Sequence, residues 1–509
     1  MTATGVLSYT RSGGFFATQR RARRPRQPAV PVGADRGLWL GLVLALLSAL
    51  PVMLARYPQM SDYPAHLARY HVMLDGGRSP ALAHWYAFRW AWTGNLGVDL
   101  LIRPVAAIFG LEAGGRIIVG LIPPLTCLAL LAVERVLRGR ITGASLFAFA
   151  FVWSPMLLLG LVNFALGLAL ALFAFAGWVR LDGRAWRGWL FVPIGLAVWL
   201  CHMSAWAVLG VLVFGYEWRL RGLRAACLAP WPLLAPLLAM AAGDHGAGSL
   251  SWGPYWWIYK RAIWERAMRD RVGWLDHASL ALVALVLLGA IAWRRFDWRL
   301  GAAALLMLGL SLVLPRHVSG GDFVDFRMVS SGLMVACLAI DWPGAGWALG
   351  LAPVLFLVRL GVTAEGWRTD SAETARLLGA LDVIPRGANV ASAVLVPAGV
   401  WALDHFEHVG CYAVVRRDAM VNANFALPHV HMLHLRQGGY ADPSHRLGVG
   451  AGKPVLLAHF APAAAADYLW YVGPRPPADL PAGARVLWQA HGASQFSLVA
   501  KLAKAAGAD

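Results

Sequence analysis

Three polar clusters in an otherwise apolar chain hold residue types that do chemistry. The first is Asp62, His66 and Arg69, within YPQMSDYPAHLARYHVM at 57–73. On a helix beginning near Tyr63 these recur at i, i+4 and i+7 and share one face, whose next place is taken by Tyr70. A carboxylate held where water meets lipid is partly desolvated, which raises its pKa and makes it a better proton acceptor. Asp62 therefore reads as a general base with His66 beside it, and Arg69 as a substrate contact. Asp62 also stands where an N-cap ahead of Pro64 would start a helix, and a cap and a base are compatible roles.

The second cluster is RHVSGGDFVDFRM at 316–328, with Arg316, His317, Asp322, Asp325 and Arg327 around two glycines. A short Gly-containing loop lets backbone N–H groups approach a phosphate, and Arg offers a bidentate fork to its oxygens. A solvated turn whose charges pair among themselves is the competing reading. Lys260 and Arg261 in the preceding polar segment are further candidate phosphate contacts. Asp99, after the Asn95-Leu96-Gly97 turn, either caps a short helix from Leu100 or joins the site. His202 and Asn163 read as hydrogen-bonded structural groups.

The third cluster holds Asp404, His405, Glu407 and His408, then His429, His431 and His434. These are zinc-ligand types, but HExxH or a comparable spacing is missing, so no metal ligand is assigned. No cofactor is assigned either, and a divalent metal stays open. GxSxG, Walker and GxGxxG patterns are missing from suitable contexts, which leaves soluble hydrolase, ATPase and dehydrogenase readings without support.

The elements that must position these residues are membrane helices. With 59% hydrophobic and 14% charged residues in 509, the composition lies outside that of a soluble domain and indicates a polytopic membrane protein. Residues 37–56 are long enough to cross a core of about 30 Å. Further apolar runs lie near 116–134, 142–158, 161–179, 189–216, 225–242, 277–293, 300–315, 329–345 and 346–363. Arginine clusters separate them at 135–140, 180–187, 219–224 and 294–299, and the positive-inside rule puts all four in the cytosol. That holds only if 189–216 is a hairpin turning near Cys201, His202 and Met203; a single tilted span is the alternative. The hairpin gives about 11 crossings, with a basic cytosolic arm at 1–36 and a transmembrane domain at 37–363.

Outer loops at 57–115, 243–276 and 316–328 then share one face with everything after residue 364. The first of them holds a short interfacial or re-entrant helix around 100–111. From 364 to 509 a small periplasmic α/β domain is expected. Its helix lies at 372–383, and its strands are NVASAVLVP, KPVLLAHF, DYLWYVG and ARVLWQA. The net charge of +18 is spread through short segments and forms no basic face, so nucleic acid is not a partner. Five cysteines without CxxC spacing read as buried thiols, not a disulfide framework. Trp85, Trp90, Trp92, Trp252, Trp256 and Trp257 form an interfacial aromatic belt or offer flat faces to sugar rings.

Asp62 directly after the first span, an interfacial helix in the same loop and a C-terminal outer domain resemble the GT-C superfamily of lipid-phosphate-sugar-dependent glycosyltransferases. The match is one of architecture, and only the segment around Asp62 matches at the level of a motif. Several members carry paired acids in the first loop, whereas Ser61 and Tyr63 flank Asp62 here; Asp99, Asp322 or Asp325 would have to supply a second carboxylate. The same segment resembles a group of bacterial membrane proteins of unassigned role with a DYPxHLAR-like stretch. The resemblance implies an inverting transfer of sugar from a polyprenyl-phosphate donor to a glycan, lipid or protein acceptor, at a bacterial inner membrane with the N-terminus cytosolic. Asp62 and His66 would be catalytic, and Arg69, Asp99, Lys260, Arg261, Arg316, Asp322, Asp325 and Arg327 would bind substrate. A lipid or solute transporter, and a non-catalytic assembly protein on a similar scaffold, are the rival readings.

Overall fold

The computed structural model describes residues 31–241, 249–318, 320–342, 346–397, 399–426, 431–436, 444–450 and 452–503. Most of the basic arm, together with Asp244, His245 and His429, lies outside the described residues. The fold is mainly helical, with a small sheet region near the C-terminus. Five described helices are long and apolar enough to cross a membrane: Arg36–Leu54, Leu111–Arg138, Val162–Arg180, Gly273–Ala292 and Gly350–Val383. The other apolar stretches, Gly143–Leu158, Arg187–Cys201, Leu223–Leu238 and Trp298–Val313, are shorter.

Three of the expected runs differ from simple spans for local reasons. The run at 225–242 is divided at Pro230 into Leu223–Leu228, a 3-10 turn at Trp231–Leu234 and Ala235–Ala241. Residues 143–151 wind as a fully buried 3-10 helix, about 18 Å long at 2 Å per residue. Residues 189–216 break at His202, whose backbone is extended (φ −163°, ψ 128°) and whose Nδ1 accepts a 3.0 Å hydrogen bond from Ser204 N–H to cap the next helix. The two helices, Arg187–Cys201 and Met203–Arg221, fold back on each other, because Arg187 at the start of one lies 3.2 Å from Glu217 near the end of the other.

That pairing belongs to a charged end of the helical body. Arg135 binds Asp35 at 2.7 Å, Arg221 binds Asp182 at 2.6 Å, and Arg138 lies 3.9 Å from both Asp297 and Asp341. Arg299 closes on Asp297 at 2.6 Å. All four arginine clusters of the sequence are represented at this end.

The opposite end carries the polar segments. Helix Tyr63–Asp75 starts with Pro64 in its first turn and stops at Gly76, whose φ of 63° is the left-handed conformation that ends helices. Helix Gly97–Phe109 is short, amphipathic and largely exposed along one side, as an interfacial element would be. Residues Leu250–Ser251 and His317–Val318 pair as a small antiparallel ladder that joins the second and third polar loops.

The expected domain boundary at 364 falls inside one helix, Ala348–Leu377, which runs unbroken from the apolar body to the sheet region. The expected helix at 372–383 is its last turns followed by a 3-10 segment at Leu378–Val383. The six-stranded sheet runs Met420–Val421, Asn389–Leu395, Tyr468–Gly473, Phe496–Lys501, Arg485–His491, with Arg446–Leu447 also on Asn389–Leu395. KPVLLAHF is not a strand. Its backbone turns instead to the Asp479 region, where the carboxylate accepts from Leu457 and Ala458 N–H and Ala478 N–H donates to Val455. The unanticipated strand Phe496–Lys501 is buried on both faces and so shows no alternation to read.

The first loop is bound to this sheet region along its length. Tyr86–Phe88 pairs antiparallel with Leu433–Leu435, Trp85 Nε1–H donates to Gly387 O at 2.9 Å, and Arg416 binds Glu112 at 2.8 Å.

Candidate functional site

Asp62 occupies the N-cap position of helix Tyr63–Asp75, but its side chain makes no cap hydrogen bond. Its backbone is held instead: Asp62 N–H donates to Leu159 O at 3.0 Å, and Asp62 O accepts from His66 N–H at 3.0 Å. Gly160 makes this approach possible. Its φ is +98°, and a Cβ there would lie 2.9 Å from Asp62 Cβ. The carboxylate is a quarter exposed, with Oδ1 3.8 Å from His408 Nε2.

His66 Nε2–H donates to Gly160 O at 3.1 Å, which leaves Nδ1 as a buried atom with no hydrogen-bond partner. Burial, then the nearby Arg69, holds its pKa well below the ordinary histidine value, so the ring is neutral at pH 7. Phe425 gathers the imidazoles of this region. Its ring lies 5.2 Å from His66, 5.0 Å from His408 and 5.3 Å from His431, centroid to centroid.

Behind Asp62 stands a second group. Glu407 Oε1 lies 4.0 Å from His408 Nε2, 3.7 Å from His445 Nε2 and 3.3 Å from Arg446 Nε. Burial disfavours the Glu407 carboxylate, but these three neighbours outweigh it and hold its carboxyl below the usual range. Burial pushes Asp404 up to about 6, and its backbone carbonyl accepts from Ser61 Oγ–H next to Asp62. Burial lowers His405 to about 4. His434, on the strand Leu433–Leu435, pairs with Ala87.

The other sequence candidates divide into separate groups. Arg69 and Asp99 form a buried pair at 3.0 Å, with Asn163 Nδ2–H 3.3 Å from Asp99. Asn163 Oδ1 also accepts from Val98 N–H at 2.6 Å, so this trio fixes helix Gly97–Phe109 to the body. Lys260 is buried and saturated, donating to Asp325 at 2.5 Å and to the Ser311 and Leu314 carbonyls. Arg261 is 80% exposed and pairs with Glu265, which turns it away from any enclosed site. Arg327 is buried and donates to Ser204 Oγ at 3.2 Å, over the Phe164 ring. Arg316 forms a half-exposed pair with Asp322 at 2.8 Å, between the rings of Tyr259 and Phe323.

The geometry thus brings Asp62 and His66 near His408, while Arg69 and Asp99 form a separate buried pair whose charge on Arg69 is felt at His66. Sequence reading missed His445 and Arg446 entirely, since this adjacent pair lies apart from the other histidines and carboxylates with no motif spacing to mark it. No family of known proteins and no characterised protein gives a significant match to this chain.

Proposed function

We propose that this chain is an integral-membrane glycosyltransferase that moves a sugar from a polyprenyl-phosphate donor to an acceptor at the face bearing Asp62. In this reading the body crosses a bacterial inner membrane about eleven times. The arginine end is cytosolic, and the loop end and sheet region lie outside. The observation that carries the reading is the setting of Asp62: a carboxylate at the exit of the first span, partly exposed, backed by a neutral His66 and faced by His408. A base needs that combination of access and partial desolvation.

Asp62 takes the proton of the acceptor hydroxyl as its oxygen bonds to the anomeric carbon. The bond from that carbon to the donor phosphate oxygen breaks with its electron pair, leaving polyprenyl phosphate and inverted configuration. The Arg316 pair is half exposed, so a phosphate can replace Asp322 on its guanidinium; Lys260 and Arg327 are committed to holding the loop. In this reading the prenyl tail stays in the bilayer against the helical body, which is why sugar transfer needs a membrane body.

The test is mass spectrometry of lipids retained by the purified protein, beside product formation in vesicles. A polyprenyl phosphate should co-purify, and Asp62→Asn should lower product by about 10²–10⁴-fold while inserting normally. Unchanged product from a stably inserted Asp62→Asn ends the catalytic assignment. Movement of lipid or solute without product would favour a transporter.

A further inference from the structure

We infer that Glu407, His408 and His445 form a site for a divalent transition metal, Zn²⁺ by its donor set, with an open coordination position facing Asp62. One ligand atom from each of the three residues lies within 4.8 Å of the other two. Two imidazole nitrogens and one carboxylate oxygen are the donors zinc prefers, and three protein ligands with a free fourth position is the arrangement of reactive zinc. Donor atoms bonded to one tetrahedral zinc at about 2.1 Å stand about 3.4 Å apart. The two Glu407–histidine separations, 3.7 and 4.0 Å, need a contraction of about 0.3–0.6 Å, and the two imidazole ligand atoms, within 4.8 Å of each other, one of at most about 1.4 Å.

The surroundings prepare the ligands. Ala423 O accepts from His408 Nδ1–H at 2.8 Å, which fixes the tautomer and turns the Nε2 lone pair into the cluster. That backbone contact is what metal-bound histidines ordinarily make with their second nitrogen. The His408 and His445 side chains are 4% and 1% exposed, so both rings have a fixed direction. Arg446 shares the Glu407 oxygen but is 48% exposed, and its long side chain can leave for solvent when a cation arrives. Asp62 Oδ1 lies 3.8 Å from His408 Nε2, which sets this carboxylate beside the cluster. A metal there would sit beside the proposed base and could hold an acceptor hydroxyl or a donor phosphate against it. Binding itself is independent of the transferase reading, because it is measured without substrate.

The experiment uses the full chain purified in detergent, stripped with a chelator, then titrated with Zn²⁺ and, as a spectroscopic probe, with Co²⁺. Zinc should bind at about one per chain, and Co²⁺ should give the intense visible bands of a four-coordinate site. His408→Gln, His445→Gln and Glu407→Gln should each weaken binding by at least about 100-fold, the upper end of what losing an outer-shell partner costs. Asp62→Asn and the exposed control His277→Gln should keep the full stoichiometry. Should the histidine variants fail to fold, wild type still decides: zinc should raise its melting temperature and chelator should reverse the rise. The inference fails if folded wild type takes up no zinc and gains no stability from it. It also fails if the three ligand variants bind as tightly as wild type, or if His277→Gln abolishes binding. Loss of transfer with zinc binding intact would sink the transferase and leave this site standing.

Discussion

Arg69 shows how far a side chain's chemistry depends on what it meets. Its place one helical turn beyond His66 suggests a substrate contact, but its guanidinium is buried against Asp99. Removing one partner of such a pair strands the other charge in the interior and costs about 3–5 kcal/mol, whereas replacing both by apolar groups of similar size is far cheaper. We expect Arg69→Met or Asp99→Leu alone to lower the melting temperature of the detergent-purified protein sharply, with the double variant recovering most of the loss. Equal and additive losses in the double variant would mean that the two do not act as a pair. Asp62 and His66 could be paired from sequence because they are close along one helix. Their partner His408 was visible only as one histidine among several, because that contact joins residues more than 300 positions apart, and His445 not at all, because it reaches the group only through Glu407 and His408.

Single elements were legible where one force set their limits. Helix Val162–Arg180 is a plain apolar run closed by an arginine, and its bounds follow from composition. The break at His202 follows from the arginine clusters on either side of the run, since only a hairpin puts both at one end. By contrast, the 3-10 form of Gly143–Phe151 is set by the helices packed around it, which no local pattern records. Nor does local pattern show what binds helix Tyr63–Asp75 to the sheet region, which is Asp418. Its carboxylate accepts from His71 at 2.8 Å, from Ser79 Oγ–H at 2.9 Å and from Arg386 Nε–H at 2.7 Å. Burial opposes its ionisation, but these donors win and hold its carboxyl below the ordinary value. A depressed pKa gives stability that is present above the unfolded value, about 3.9, and is lost as pH falls through the folded one. Asp418→Asn should therefore cost about 1–3 kcal/mol at pH 7. The gap from wild type should close below about pH 4. A gap that stays constant across that range in thermal melts would show that the charge does not contribute.

At the scale of the whole molecule, charge separates into two ends. Arginine pairs link Asp35, Asp182, Glu217, Asp297 and Asp341 at one end, while Asp62, Asp99, Asp325 and the sheet region lie at the other. Buried Glu134 and Glu217 lie near the last turns of their helices, and Asp276 and Asp325 in first turns, where water and backbone groups are near. A path for a polar solute would be expected to place such groups at mid-depth. The sequence made the arginine clusters plain, but their meeting at one end depends on the hairpin at His202, which the Arg187–Glu217 contact fixes. If the arginine end faces the cytosol, two positions should differ in access to a membrane-impermeant maleimide. Asp382, 82% exposed beside the sheet, represents the loop end, and exposed Arg184 represents the arginine end. Four native cysteines are buried and Cys227 is exposed, so a Cys227→Ser background removes the accessible thiol. Asp382→Cys should label in intact spheroplasts, and Arg184→Cys only after the membrane is opened. Labelling of Arg184→Cys alone from outside would invert the orientation and place Asp62 in the cytosol, where the donor would have to be presented from the opposite leaflet.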